Sequence, residues 1–115
     1  MKKLIAMAVP VAPGKTDAWK SFMGDLQSKY KADFAASRKR MGVRERTFLQ
    51  HTPMGDLVLV TLEGEDPVKA FSQFAQGEDE FTKWFVASVN NIHGIDLKAM
   101  SAAGDMPEMV VDSGE

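Results

Sequence analysis

The chain has 115 residues, 14 Lys and Arg against 16 Asp and Glu, a formal charge of −2 and a hydrophobic fraction of 44%. That length and composition specify one folded domain and exclude intrinsic disorder, and the near balance of charge argues against a dedicated nucleic-acid binder. With no cysteine, disulfides, a thiolate nucleophile and Cys-ligated zinc or iron–sulfur are excluded, and no apolar run approaches the roughly 18 residues that suggest a membrane span.

Met1-Lys2-Lys3 followed by an apolar stretch imitates a short signal peptide, with Ala6-Met7-Ala8 in the place of a cleavage site. The stretch is too brief, it contains Pro10, and its removal would delete a good strand, so a cytoplasmic location is expected. Residues 4–11 read as a buried strand whose exit is marked by Pro10. Pro13-Gly14 makes a turn. Thr16 or Asp17 caps a helix expected to run to Met41, with Trp19, Phe22, Met23, Leu26, Tyr30, Phe34 and Met41 on one stripe. Arg38-Lys39-Arg40 suit the negative end of its dipole, and Gly42 is the expected terminator.

Residues 43–52 form a second strand and 57–63 a third, joined through Thr52-Pro53-Met54-Gly55-Asp56. The third strand is apolar on both faces and should be central. Asp66-Pro67 opens a short helix with Val68, Phe71, Phe74 and Ala75 inward, ending at Gly77. Asp79 opens another, where Phe81, Trp84, Phe85, Ser88, Val89 and Ile92 keep steps of three and four until Gly94. Beyond it, residues 95–97 look extended and 101–107 small and flexible. A last strand is expected at Met109-Val110-Val111. The domain is taken as residues 1–100, with 101–115 an acidic tail holding a last or exchanged strand at 108–112.

This order is an α+β, ferredoxin-like βαββαβ arrangement with an antiparallel sheet and all helices on one face. In the third strand Leu57, Leu59 and Thr61 oppose Val58, Val60 and Leu62, and in the first Ile5, Met7 and Val9 oppose Leu4, Ala6 and Ala8. Helices shelter only one of these sets. A soluble chain seldom leaves the other bare, so a homodimer with sheet packed on sheet is expected.

The strand 2–11, the long helix after Pro13-Gly14, the hairpin 47–63 and the helix end Trp84-Phe85…His93-Gly94 together resemble the dimeric α+β barrel superfamily over residues 2–97. That superfamily includes cofactor-independent monooxygenases, haem-degrading enzymes, muconolactone isomerase-like enzymes and stress-responsive proteins. The chain is most similar to its uncharacterised members. Gly77-Glu78-Asp79 and the acidic tail depart from the compact monooxygenase pattern. The resemblance therefore implies a fold and a dimer, and leaves the reaction open.

Charge is uneven: residues 15–41 carry seven Lys/Arg and three Asp/Glu, whereas 56–80 carry seven acids and one Lys. Arg38, Lys39, Arg40, Arg44 and Arg46 either bind phosphate or carboxylate, or serve the helix dipole and protect an edge strand. There are two histidines. His93 precedes Gly94, with Asp96 three residues on. It is either an acid–base imidazole oriented by that carboxylate or a helix-end side chain on free carbonyls. His51 shares parity with Leu49, Thr47 and Glu45. If that parity faces the helices, His51 and Glu45 line a pocket; otherwise His51 is a wet hairpin end. No HxH, HxxxH or HxxE spacing is present, so no metal is expected. A lone His could hold haem iron, but no contact motif accompanies it, and no cofactor is expected. Gly-rich phosphate loops, GxSxG and HExxH are absent.

Trp19, Phe22, Trp84, Phe85 and His93 are the candidate walls of an apolar pocket, softened by eight methionines; the same stripes also suit an ordinary core. The leading expectation is a small homodimer whose pocket binds or modifies a small organic molecule, in a cofactor-independent, monooxygenase-like style if catalytic. The alternative is a non-enzymatic ligand-sensing or stress-responsive module. A third is an associative subunit whose acidic tail docks on a neighbour's Arg38–Arg46 stretch. No nucleic acid or membrane is expected as a partner.

Overall fold

A computed structural model describes residues 2–103 and 106–114. The elements are β1 (Lys3–Pro10), α1 (Thr16–Leu26), α2 (Lys31–Met41), β2 (Val43–Thr52), β3 (Gly55–Gly64), α3 (Pro67–Ala75), α4 (Glu80–His93) and α5 (Leu97–Ala103). The class is α+β. The three strands form one antiparallel sheet in the order β1-β3-β2. Two-sided apolar patterning puts β3 in the middle: Ile5 pairs with Leu62 on one side and Glu45 with Leu62 on the other.

Helices gather on one face. The sheet residues packed in the core are Ile5, Met7, Val43, Leu49, Val58, Val60 and Leu62, all of one parity. The opposite parity carries Leu4, 43% exposed, and Phe48, 53% exposed. The α1 and α4 stripes meet through rings: Phe22 lies edge-on to Trp84 and Phe85 at 5.2 and 5.1 Å. Gly42 ends α2 at φ 69°, a left-handed conformation that favours glycine. Its carbonyl lies against Gly64, where a side-chain carbon would overlap it.

Five expectations need correction: α1 follows Lys15 with no side-chain cap, so neither Thr16 nor Asp17 caps it; Val68, expected inward on α3, is 39% exposed; and three elements differ. The helix over 16–41 is two helices, broken across residues 27–30. Gln27 Nε2 donates to the Met23 carbonyl and Ser28 Oγ to that of Gly24, while the Tyr30 amide reaches back five residues to Asp25. The Met23 carbonyl still accepts the Gln27 amide, but that of Gly24, which the Ser28 amide would use in a continuing helix, takes the Ser28 hydroxyl and the Gln27 amide instead. The break lets Tyr30 stack on Trp84, centroids 3.9 Å apart.

Residues 95–97 are not an extended segment, because Leu97 begins α5. Asp96 Oδ1 accepts from the Ala99 amide, and the Leu97 amide donates to Asn90 Oδ1. Finally, residues 106–114 hold no strand, and Val110 and Val111 are 87% and 83% exposed. Three β-prone residues between Glu108 and Asp112 offer few ladder bonds against an ordering cost of about 1–2 kcal/mol per residue. The two residues before Met106 lie outside the described residues.

Asp79 caps α4, its Oδ2 accepting from the Thr82 amide and Oδ1 from the Thr82 hydroxyl at 2.7 Å. The hydroxyl bond is the main reason its carboxyl sits below the ordinary value of 3.8. Asp79→Ala should therefore destabilise the fold by about 1 kcal/mol in urea unfolding at pH 7. A depressed folded-state pKa means this contribution is complete above the ordinary carboxyl range and fades as pH falls through it. The gap between wild type and D79A should accordingly close in acid.

Candidate functional site

Between the helix-facing side of the sheet and the helices lies an apolar cavity of about 70 Å³. Its floor includes Met7, Thr47, Val58 and Val60, and its roof includes Trp19, Phe22, Phe74 and Phe85. The volume is below the roughly 150 Å³ that admits benzene. However, Met7, Met23, Met41 and Met100 all face it. Unbranched thioethers change rotamer readily, which makes this the adaptable part of the wall.

One ion pair interrupts the apolar lining. Arg38 Nε donates to Glu45 Oε1 at 2.7 Å, and both side chains are 9% exposed. Glu45 Oε2 accepts from the Thr47 hydroxyl at 3.2 Å. Arg38 Nη1 donates to Ser37 Oγ at 2.9 Å and to Met41 Sδ. The guanidinium lies over Phe34, Phe74 and Phe85, 4.8, 4.4 and 4.9 Å from their centroids. Weak hydration of guanidinium makes this ring cage tolerable for a cation.

His93, at the end of α4, also lines the cavity. Its Nδ1 is 2.8 Å from the Pro10 carbonyl of β1. A carbonyl only accepts, so Nδ1 carries the proton and Nε2 is the basic nitrogen. Burial pushes its pKa below the ordinary 6.5, opposed by the bond to Pro10. The ring is therefore neutral at pH 7. Neither sequence reading describes this contact: Asp96 caps α5, and the carbonyl that His93 binds belongs to a strand 83 residues away.

His51 lies on the helix-facing parity, yet it is outside the cavity with its side chain 70% exposed. Its Nδ1 is 2.6 Å from Asp56 Oδ1, and Thr16 Oγ1 donates to Asp56 Oδ2 at 2.5 Å. The Thr16 bond, then the His51 bond, hold the Asp56 carboxyl below its ordinary value. This latch ties the β2–β3 hairpin to the start of α1.

Of the sequence-derived wall residues, Trp19, Phe22, Phe85 and His93 border the cavity, whereas Trp84 stands outside it, stacked on Tyr30. Among the described residues no cluster of three His, Cys, Asp or Glu could hold a metal ion, and no helix is long and apolar enough to cross a membrane. Arg38, grouped from sequence with the surface cations, is buried. Its signal was the spacing Tyr30, Phe34, Arg38, which continues the apolar stripe.

Glu45→Leu should strand a buried cation and destabilise the protein by about 3–5 kcal/mol in urea unfolding. Arg38→Met/Glu45→Leu together should recover most of that loss, since an apolar replacement of a buried pair is often neutral. For His93, nitrogen NMR should show Nδ1 protonated and Nε2 bare at pH 7. Stability attributable to neutral His93 should be complete above pH 6.5, and should fall as acid titrates the ring through its lower folded-state pKa.

Comparison with protein-family models, curated proteins and solved structures finds no match to this chain.

Proposed function

We propose that the protein is a homodimeric small-molecule binding protein that holds a slender apolar organic molecule between sheet and helices. His93 is placed to accept a proton from it without a cofactor. The observation that carries this reading is the methionine-walled cavity, whose mostly apolar lining holds a neutral, tautomer-fixed imidazole and the Arg38–Glu45 pair. A binding site of this kind needs few polar groups, set in an apolar wall. Ligand sensing without turnover is the second reading. It is favoured by His51 lying outside the cavity, its side chain 70% exposed, which leaves few convergent titratable groups on the lining.

The dimer reading rests on the sheet face away from the helices. There Ala8, Leu59 and Phe48 form one row and Pro10, Leu57 and Gln50 the next. Burying each large apolar side chain stabilises by about 1.5–3 kcal/mol, and a two-fold axis lets one patch cover its own copy. Arg46 and Glu63, paired at 3.6 Å and about a third exposed, lie towards the rim of that patch. The β1-β3-β2 sheet is proposed to be the βαββ part of a ferredoxin-like fold, as in the dimeric α+β barrels that the sequence resembles.

Titration with indole, followed by methionine methyl NMR, tests the cavity. Met7, Met23, Met41 and Met100 should shift, while Met54, 98% exposed, stays still. Silence of all four up to millimolar indole would overturn the reading. For the dimer, Leu59→Arg should convert a sedimenting dimer into a folded monomer at micromolar concentration. Wild type sedimenting as a monomer at tens of micromolar would refute it.

A further inference from the structure

Arg38 and Glu45 border two spaces. One is the inner cavity; the other is an outer groove of about 640 Å³ along the edge of β2, beneath the junction of α1 and α2. Leu26, Phe34 and Val43 give the groove an apolar floor, and exposed Lys31, Lys39 and Arg44 line its rim. Glu45 is the one carboxylate on that lining. The ion pair is thus the partition between a basic groove and an apolar chamber.

The pair is also one-sided. A carboxylate and a guanidinium commonly meet through two parallel hydrogen bonds. Here Glu45 takes only Nε, its second oxygen turned to Thr47, and Nη1 is spent on Ser37 and Met41. Nη2 takes part in none of these bonds. Three rings around the guanidinium match an apolar body next to the charge. Glu45 itself limits the anion's charge: it repels a dianion beside it about twice as strongly as a monoanion, and a monoanion gains bonds from a cation with donors to spare.

We propose that the bound molecule is an organic monocarboxylate with a slender apolar body, which passes from the basic groove, seats its carboxylate on Arg38 and extends its body into the cavity. This rests on the reading of the cavity as a ligand site and adds the ligand's chemical class and route. Lys31, Lys39 and Arg44 draw the anion to the groove, a long-range effect that salt weakens.

The test uses three probes with one body and different heads: 3-phenylpropionate, 3-phenylpropan-1-ol and 3-phenylpropylamine, titrated at pH 7 and fixed ionic strength. Calorimetry gives affinity, methionine methyl NMR gives location, and the Arg38 Nε resonance reports on the head group. The carboxylate should bind about tenfold more tightly than the alcohol, a difference of about 1.4 kcal/mol, and the amine most weakly. Only the carboxylate should move the Arg38 Nε signal. Arg38→Met/Glu45→Leu should keep the alcohol and lose the preference for the acid. Lys31→Ala/Lys39→Ala/Arg44→Ala should weaken the acid at low salt but keep it ahead of the alcohol.

An alcohol that equals the acid in the wild type overturns the carboxylate proposal and leaves the cavity reading standing. A preference abolished by the triple variant, with the Arg38 signal unmoved, places the anion on the rim and overturns the role of Arg38. Cavity methionines unmoved by all three probes overturn both readings. The wild-type Arg38 signal decides the matter even where the double variant does not fold.

Discussion

The alternation of side chains along β3 governs this structure. Val58, Val60 and Leu62 turn toward the helices and are core, while Leu57, Leu59 and Thr61 turn away. Because strand side chains repeat every two residues, a slip of one position in either ladder would exchange the two sets. Register therefore determines which residues face the cavity. It brings Glu45 opposite Leu62 and under α2, where Arg38 meets it, and it places Pro10 opposite Leu57, where its carbonyl receives His93.

Much of this was legible because it rests on periodicity. The two faces of β3 and the α4 stripe follow from spacing alone, whereas spacing grouped Glu45 with Thr47, Leu49 and His51 and left open which way that set faces. The misreadings concern groups with two available partners. Asp96 could orient His93 or cap a helix, and its bond from the Ala99 amide in the first turn of α5 resolves it as a cap. Ser28 and Gln27 could face solvent or bond the preceding turn, and their choice splits the long helix. Arg38 sits among Lys39 and Arg40, so composition suggested a solvated run. A helix, however, turns neighbouring residues 100° apart, and Arg38 points inward while the others point out. His51 shows the reverse: its parity is inward, but it lies at the hairpin end, where the face is open to water.

The buried ion pair needs a reason, because apolar replacements of such pairs are often as stable. Here Arg38 is bonded to Glu45, Ser37 and Met41 and faces three rings, so the neutral contacts hold the guanidinium in place redundantly, while its charge is matched by Glu45. Such redundancy suits a group that must exchange a partner without being expelled to solvent. A pair serving packing alone would need no groove on its outer side, yet Arg38 and Glu45 reach both spaces.

The two polar stations of the cavity also constrain any ligand that uses both. Glu45 pairs opposite Leu62 and Pro10 opposite Leu57, five residues apart on β3, which at about 3.3 Å per residue is roughly 16 Å of strand. A molecule touching the guanidinium and the imidazole together must therefore lie along the strands. On the proposed binding mode, a short acid seated on Arg38 would not approach His93, whereas an elongated one would place its far end near the basic nitrogen. On the proposed function, the length of the apolar body, rather than its head group, would therefore decide whether a bound acid reaches His93.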